Sequence, residues 1–180
     1  MKRLLFALPL VVFAALVGWF LAGIDRDRTL PSQLIDRPAP AMNLPALLAD
    51  RPGLDAASLA TGKPIVVNLF ASWCAPCRVE HPAFMAMAAA GIDVVGINYK
   101  DRPEDATRWL QQLGNPYRAI GADRDGRAGI DWGITGVPET FILDGNGRVR
   151  FRHVGPLMPE QFEASVVPWR LPAVPVRVPA

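Results

Sequence analysis

The sequence predicts an α/β domain, with a mixed central sheet flanked by helices, carried behind an N-terminal transmembrane helix. Three features predict it. Leu4 to Ile24, near the N-terminus, is a run of 21 residues without a charge; short β-branched runs then alternate with helical segments; and Asp144-Gly145-Asn146-Gly147 joins the last two strand candidates as a hairpin turn. A length of 180 residues, 51 % of them apolar, suits one globular core with accessories rather than two full domains.

The opening run, coiled as a helix at about 1.5 Å per residue, is roughly 30 Å long, the depth of a bilayer's hydrocarbon core. It exceeds the apolar region of about 7 to 15 residues usual in a cleaved signal peptide, and no A-x-A site closes it, so a retained anchor is favoured over a cleaved signal. Lys2 and Arg3 precede the run, whereas Asp25, Arg26, Asp27 and Arg28 follow it in balance. This asymmetry keeps the N-terminus in the cytoplasm and puts the domain outside, which in a bacterium is the periplasm. The expected organisation is a membrane anchor over 1–24, a linker over 25–43 containing Pro31, Pro38 and Pro40, a folded domain over 44–167, and a loose Pro-rich tail over 168–180.

Within the domain, Pro64 to Phe70 reads as a buried central strand and about Ala75 to Ala90 as a helix rich in Ala and Met. Ile92 to Asn98 is the next strand, Pro103 to Leu113 a helix with proline at its start, and Arg127 to Trp132 a short helix. Glu139 to Leu143 and Arg148 to His153 flank the hairpin turn, and Pro159 to Val167 closes the domain as a helix. Met85 and Met87 are expected in the core.

Charge excludes one class of partner. With Lys2 and Arg3 set aside, the remaining 17 basic residues are matched by 17 acidic ones, so no electrostatic footprint for nucleic acid exists. Recognition must rest on local shape and apolar contact rather than long-range steering.

The two cysteines of the chain stand together in Ser72-Trp73-Cys74-Ala75-Pro76-Cys77-Arg78, directly after the central strand. C-x-x-C spacing sets two thiols one helical turn apart, within disulfide reach when the first lies at a helix N-terminus. There the free N–H groups and helix dipole favour a thiolate on Cys74, the attacking nucleophile, while Cys77 lies deeper and resolves the mixed disulfide. A purely structural disulfide is disfavoured, because so small a loop constrains little unfolded-chain entropy. Zinc bound by both cysteines with His81 and His153 is the stronger rival, weighed against by the preceding strand, the proline within the motif and the export signal. No metal and no cofactor is expected beyond the redox-active Cys74–Cys77 pair itself.

These residues resemble the thioredoxin superfamily: an apolar strand running into Trp-Cys-x-Pro-Cys, a helix with Pro82 five residues past the second cysteine, and a distal Thr135-Gly136-Val137-Pro138-Glu139-Thr140-Phe141 similar to its cis-proline loop. The resemblance implies a thioredoxin-like fold in which the Val137–Pro138 bond is cis and packs beside the cysteines. Cys77 to His81, Val94 to Asp101, Leu113 to Tyr117, Gly136 to Phe141 and Asp144 to Gly147 together resemble the cytochrome c biogenesis thioredoxins, the CcmG (DsbE) family of periplasmic reductases, over about residues 60–165. That likeness implies a single-pass inner-membrane protein with its catalytic domain in the periplasm. It would take electrons from a membrane thiol donor and keep the haem-binding cysteines of apocytochrome c, or of a haem-ligation accessory protein, reduced. The alternatives are a general thioredoxin-like oxidant or antioxidant, and a metal-binding module using the Cys pair.

Asn68 stands where ordinary thioredoxins usually have a buried Asp, six residues before the first cysteine, and an amide does not exchange a proton near neutral pH. Glu80, one turn past Cys77, is expected to help deprotonate Cys77, and Glu139 to add a negative field that keeps Cys74 from becoming too acidic. Trp73 and Phe70 are expected to pack the base of the site, with Trp73 also offering a flat apolar contact to substrate. Pro76 lies within the motif; Val137, Pro138 and Tyr99 are placed to line the groove.

Overall fold

The computed structural model describes residues 2–24 and 32–158, which form two separate units. The first is the helix α1 (Lys2–Ile24), whose described side chains, 8–21, are apolar or glycine. Among the described residues no helix is long and apolar enough to cross a membrane. The helix expected at 159–167 and the tail expected at 168–180 lie outside the described residues.

The second unit is built on a five-stranded mixed sheet. Its strands are β3 (Ile65–Phe70), β4 (Asp93–Tyr99), β5 (Ala119–Asp123), β6 (Glu139–Leu143) and β7 (Val149–Val154), in the order β5-β4-β3-β6-β7. β3, β4 and β5 run parallel, and β6 and β7 are antiparallel to their neighbours. The parallel pairs are joined through helices, as a parallel crossover requires: α2 (Ala75–Ala89) between β3 and β4, and α3 (Pro103–Leu113) between β4 and β5. The shorter α4 (Arg127–Asp131) follows β5.

β3 is buried along its whole length, which explains its unbroken Ile-Val-Val-Asn-Leu-Phe sequence. Successive side chains alternate between faces. Ile65, Val67 and Leu69 enter one core with Val95, Ile97, Trp132 and Phe141; Val66 and Phe70 enter the other with Phe84, Met87, Trp109 and Tyr117 from the helix-covered face. Asn68 falls on the second face. A polar residue is thus placed beneath α2, where it needs polar partners.

Two differences from the sequence expectation concern the edges. The N-terminal pair β1 (Asn43–Leu44) and β2 (Leu54–Asp55) lies along β5, with Ala122 N–H donating to Pro45 O at 2.9 Å and Leu47 N–H to Ile120 O at 3.1 Å. Residues 32–42, expected within the linker, instead meet the other edge: Asp36 N–H donates to Val149 O, Val149 N–H to Arg37 O, and Ala39 N–H to Gly147 O, each within 2.9 Å. The folded unit therefore starts before Leu44. An otherwise open strand edge gives these segments backbone partners, so they are ordered despite their prolines.

Candidate active site

α2 begins where β3 ends, and that junction holds the cysteines. Cys74 is the N-cap of α2, with extended backbone, and its sulfur accepts the Cys77 N–H at 3.1 Å. Ala75 and Pro76 fill the first turn, where proline has no N–H to leave unpaired. Cys74 and Cys77 are disulfide-bonded, with Cα atoms 5.3 Å apart. Cys77 is 1 % exposed and Cys74 4 %, whereas Trp73 beside them is 59 % exposed. A partner must therefore press against the site to reach the outer sulfur, and Trp73 gives it a flat surface to press on.

The loop leading to Cys74 is tied from a second element. Asp101, just after β4, accepts the Ser72 N–H at 2.5 Å, the Ser72 hydroxyl at 2.8 Å, Asn98 Nδ2 at 3.0 Å and the Arg102 N–H at 2.9 Å. Trp73 Nε1 donates to Lys100 O at 3.1 Å. The motif is thus clamped to the C-terminal end of the neighbouring strand. Tyr99, expected in the groove, lies against Gly126 and Gly129 at the start of α4, with Lys100 Nζ 5.3 Å from its ring centre.

The Val137–Pro138 bond is cis. Pairing of Glu139 with Leu69 and Thr140 with Asn68 brings Pro138 alongside the end of β3, and Val137 packs against both apolar cores, one of which contains the cysteines. Glu139 itself points elsewhere. Its carboxylate accepts Arg152 Nε at 2.7 Å and Nη2 at 3.1 Å, together with the N–H and hydroxyl of Thr135 at 2.6 and 2.8 Å. Paired with Arg152 in the interior, Glu139 holds the proline loop to β7.

Glu80 is the acid that faces inward, 1 % exposed on the same face of α2 as Cys77. Asn68 Nδ2 donates to Oε1 at 2.9 Å and Leu157 N–H to Oε2 at 2.8 Å. Burial raises its pKa from 4.5 to about 7, against the lowering effect of these two donors. Tyr117 completes the set, donating its hydroxyl to Asn68 Oδ1 at 2.8 Å. Burial raises the Tyr117 pKa well above its usual value, with the Glu80 charge adding to the rise, so the phenol stays protonated.

Both histidines pair with backbone carbonyls. His81 Nε2 pairs with Gly114 O at 3.1 Å while its ring stands edge-on to Trp109 at 4.4 Å, and burial lowers its pKa. His153 Nε2 pairs with Pro156 O at 3.3 Å. Among the described residues no group of three or more His, Cys, Asp or Glu side chains is arranged to hold a metal ion.

Sequence reasoning gave no role to Thr140, Leu157 or Arg152, and named Asp101 and Tyr117 only as the ends of two stretches that carry the family resemblance. The period-two alternation that turns Asn68 inward was the available sign that polar partners must surround it.

A helix-capping cysteine with a buried partner, an acid titrating near neutrality and an adjacent cis-proline loop define a thioredoxin-like thiol-disulfide oxidoreductase. The redoxin profile matches residues 35–167. The thiol:disulfide interchange protein HelX of Rhodobacter capsulatus is 42 % identical over 170 residues, covering 93 % of this chain and 96 % of the relative. The thiol:disulfide interchange protein DsbE of Escherichia coli K12 is 43 % identical over 176 residues, covering 93 % and 94 %. A crystal structure of a putative thiol:disulfide interchange protein DsbE from Chlorobium tepidum superposes with a TM-score of 0.63 at 26 % identity, covering 78 % of this chain and 98 % of that one. The chain belongs to the redoxin family and, within it, to the DsbE (CcmG) group of thiol:disulfide interchange proteins.

Proposed function

We propose that this oxidoreductase works as a periplasmic reductase, held at the inner membrane by residues 4–24, that reduces disulfides so that haem can be attached to apocytochrome c. Its substrate is apocytochrome c itself or a haem-ligation accessory protein presenting those cysteines, and a membrane thiol donor restores its dithiol. The observation that carries the reductant reading is the Cys77–Glu80 arrangement: a resolving cysteine and a carboxyl near pKa 7, both buried on one face of α2. The anchor reading is supported by the 21 uncharged residues after Lys2 and Arg3.

In this reading the thiol cycle runs through Cys74, Cys77 and Glu80. The Cys74 thiolate, favoured by the Cys77 N–H and the helix N-terminus, attacks a substrate disulfide; a Cys74–substrate disulfide forms and one substrate thiolate leaves. Glu80 takes the Cys77 proton. The new Cys77 thiolate attacks the Cys74 sulfur, forming the intramolecular disulfide and releasing the second substrate thiolate, which is protonated in turn. Two electrons pass from the protein to the substrate. An acid with a pKa of about 7 is matched to this task, since near neutral pH it is ionised enough to accept a proton and basic enough to hold it.

The test is capture. In the native membrane a Cys77→Ser variant should accumulate disulfide-linked cytochrome c precursors or haem-ligation factors. A spread of unrelated secreted proteins would instead point to a general redox role, and stoichiometric copper or zinc on the purified wild type with no disulfide turnover would point to a metal module.

A further inference from the structure

Tyr117 is fully buried in the loop leading to β5, and its position is set on several sides. Its ring stacks on Phe70 at 4.8 Å, its N–H donates to Asn115 Oδ1 at 3.0 Å, and Gly96 of β4 lies beneath it, where a Cβ would come within 3.1 Å of the ring. The phenol oxygen is thus fixed 2.8 Å from Asn68 Oδ1.

An asparagine amide offers an acceptor at one end and two donors at the other. Here the acceptor end meets Tyr117, and the donor end meets Glu80 Oε1 at 2.9 Å and Thr140 Oγ1 at 3.4 Å. Turned around, Asn68 would set its oxygen against the Glu80 carboxylate, an arrangement that only a protonated Glu80 satisfies. We propose that Tyr117 is a positioning residue for the thiol chemistry: by donating to Oδ1 of Asn68 it holds the amide with its NH2 on Glu80 and so keeps the Glu80 anion accessible.

The other ionisable groups around Glu80 leave this assignment intact. On α2 these are Arg78 and His81, the latter paired with Gly114 O, while Cys77 is held in the disulfide. On β7, His153 stands opposite Thr140 in register and is paired with Pro156 O. From β6, Glu139 is bound to Arg152. None of these pairs with Asn68.

The consequence for catalysis rests on Glu80 acting as the base for Cys77; the titration of Glu80 itself does not. The experiment is therefore a pH titration of the Glu80 13C-carboxyl resonance in the oxidised full chain, assigned by its loss in Glu80→Gln. Tyr117→Phe should raise the midpoint by about one pH unit, the scale set by weakening one hydrogen bond to a charged group. In an Asn68→Leu background the same substitution should leave the midpoint unmoved. Fluorination at the ortho position of Tyr117, in a Tyr99→Phe chain, keeps the phenol, strengthens it as a donor and should move the midpoint down.

An unmoved midpoint in Tyr117→Phe, or an equal shift with and without Asn68, overturns the inference. So does a fluorotyrosine shift of the same sign as that of phenylalanine. If instead Glu80→Gln reduces substrate with the wild-type pH profile, the proton-acceptor reading falls while the carboxyl titration still decides the role of Tyr117.

Discussion

Glu80→Gln separates the cost of the buried acid from its use. A carboxyl that titrates near 7 in the folded protein, against 4.5 as its ordinary value, keeps a proton that the unfolded chain has already released between those pH values. The unfolded state then binds fewer protons, so stability falls as pH rises, by about 1.4 kcal/mol per pH unit across the interval and about 3 kcal/mol in all, and levels off above pH 7. Glutamine keeps an oxygen for the Leu157 N–H and does not titrate, so this loss should vanish. Urea unfolding of the oxidised protein from pH 4.5 to 8 reads it, with the disulfide removing thiol titration and His81 common to both chains. The wild-type curve minus the variant curve should drop by about 3 kcal/mol toward high pH. Two parallel curves would refute the claim that burial raises this acid.

Arg152→Met strands the Glu139 carboxylate in the interior and should cost about 3–5 kcal/mol by chemical denaturation, most of it recovered by adding Glu139→Gln. Gly121→Ala would place a Cβ 2.6 Å from Leu44 Cβ and 3.2 Å from Leu54 Cβ; the overpacking should cost about 1–3 kcal/mol and speed hydrogen exchange across 43–55 before the central sheet. Asp101→Ala removes the acceptor for the Ser72 N–H, so exchange at that amide should accelerate about tenfold or more, with Cys74 alkylation becoming faster as its loop loosens.

The elements with strong local signals were legible in the sequence. β3 follows from β-branched residues bounded by Pro64 and the motif, α3 from Pro103 at its start, and the β6–β7 hairpin from its Asp-Gly-Asn-Gly turn. β5 was not legible, because Ala119-Ile-Gly-Ala-Asp123 carries one β-branched residue and takes its strand character from burial between β4 and the N-terminal pair. The same non-local cause orders 32–42, whose composition suggests a spacer but whose backbone pairs with Val149 and Gly147.

The site divides along the same line. Cys74, Cys77 and Glu80 could be placed from helical spacing alone, since they share one element. The pairing of Glu139 could not, because its partner Arg152 lies 13 residues away across the hairpin. Tyr117 and Asn68 stand 49 residues apart and meet only when β3 and β5 both flank β4.

The division of labour between the sulfurs can be read directly. The fully reduced protein is alkylated with limiting iodoacetamide over a range of pH, and the labelled positions are read by mass. Label should collect on Cys74 with a titration midpoint below the free-thiol value of about 8.5, while Cys77 stays protected until the protein unfolds. Equal labelling of both sulfurs, or first labelling of Cys77, would contradict an attacking thiolate at the helix mouth backed by a sealed resolving thiol.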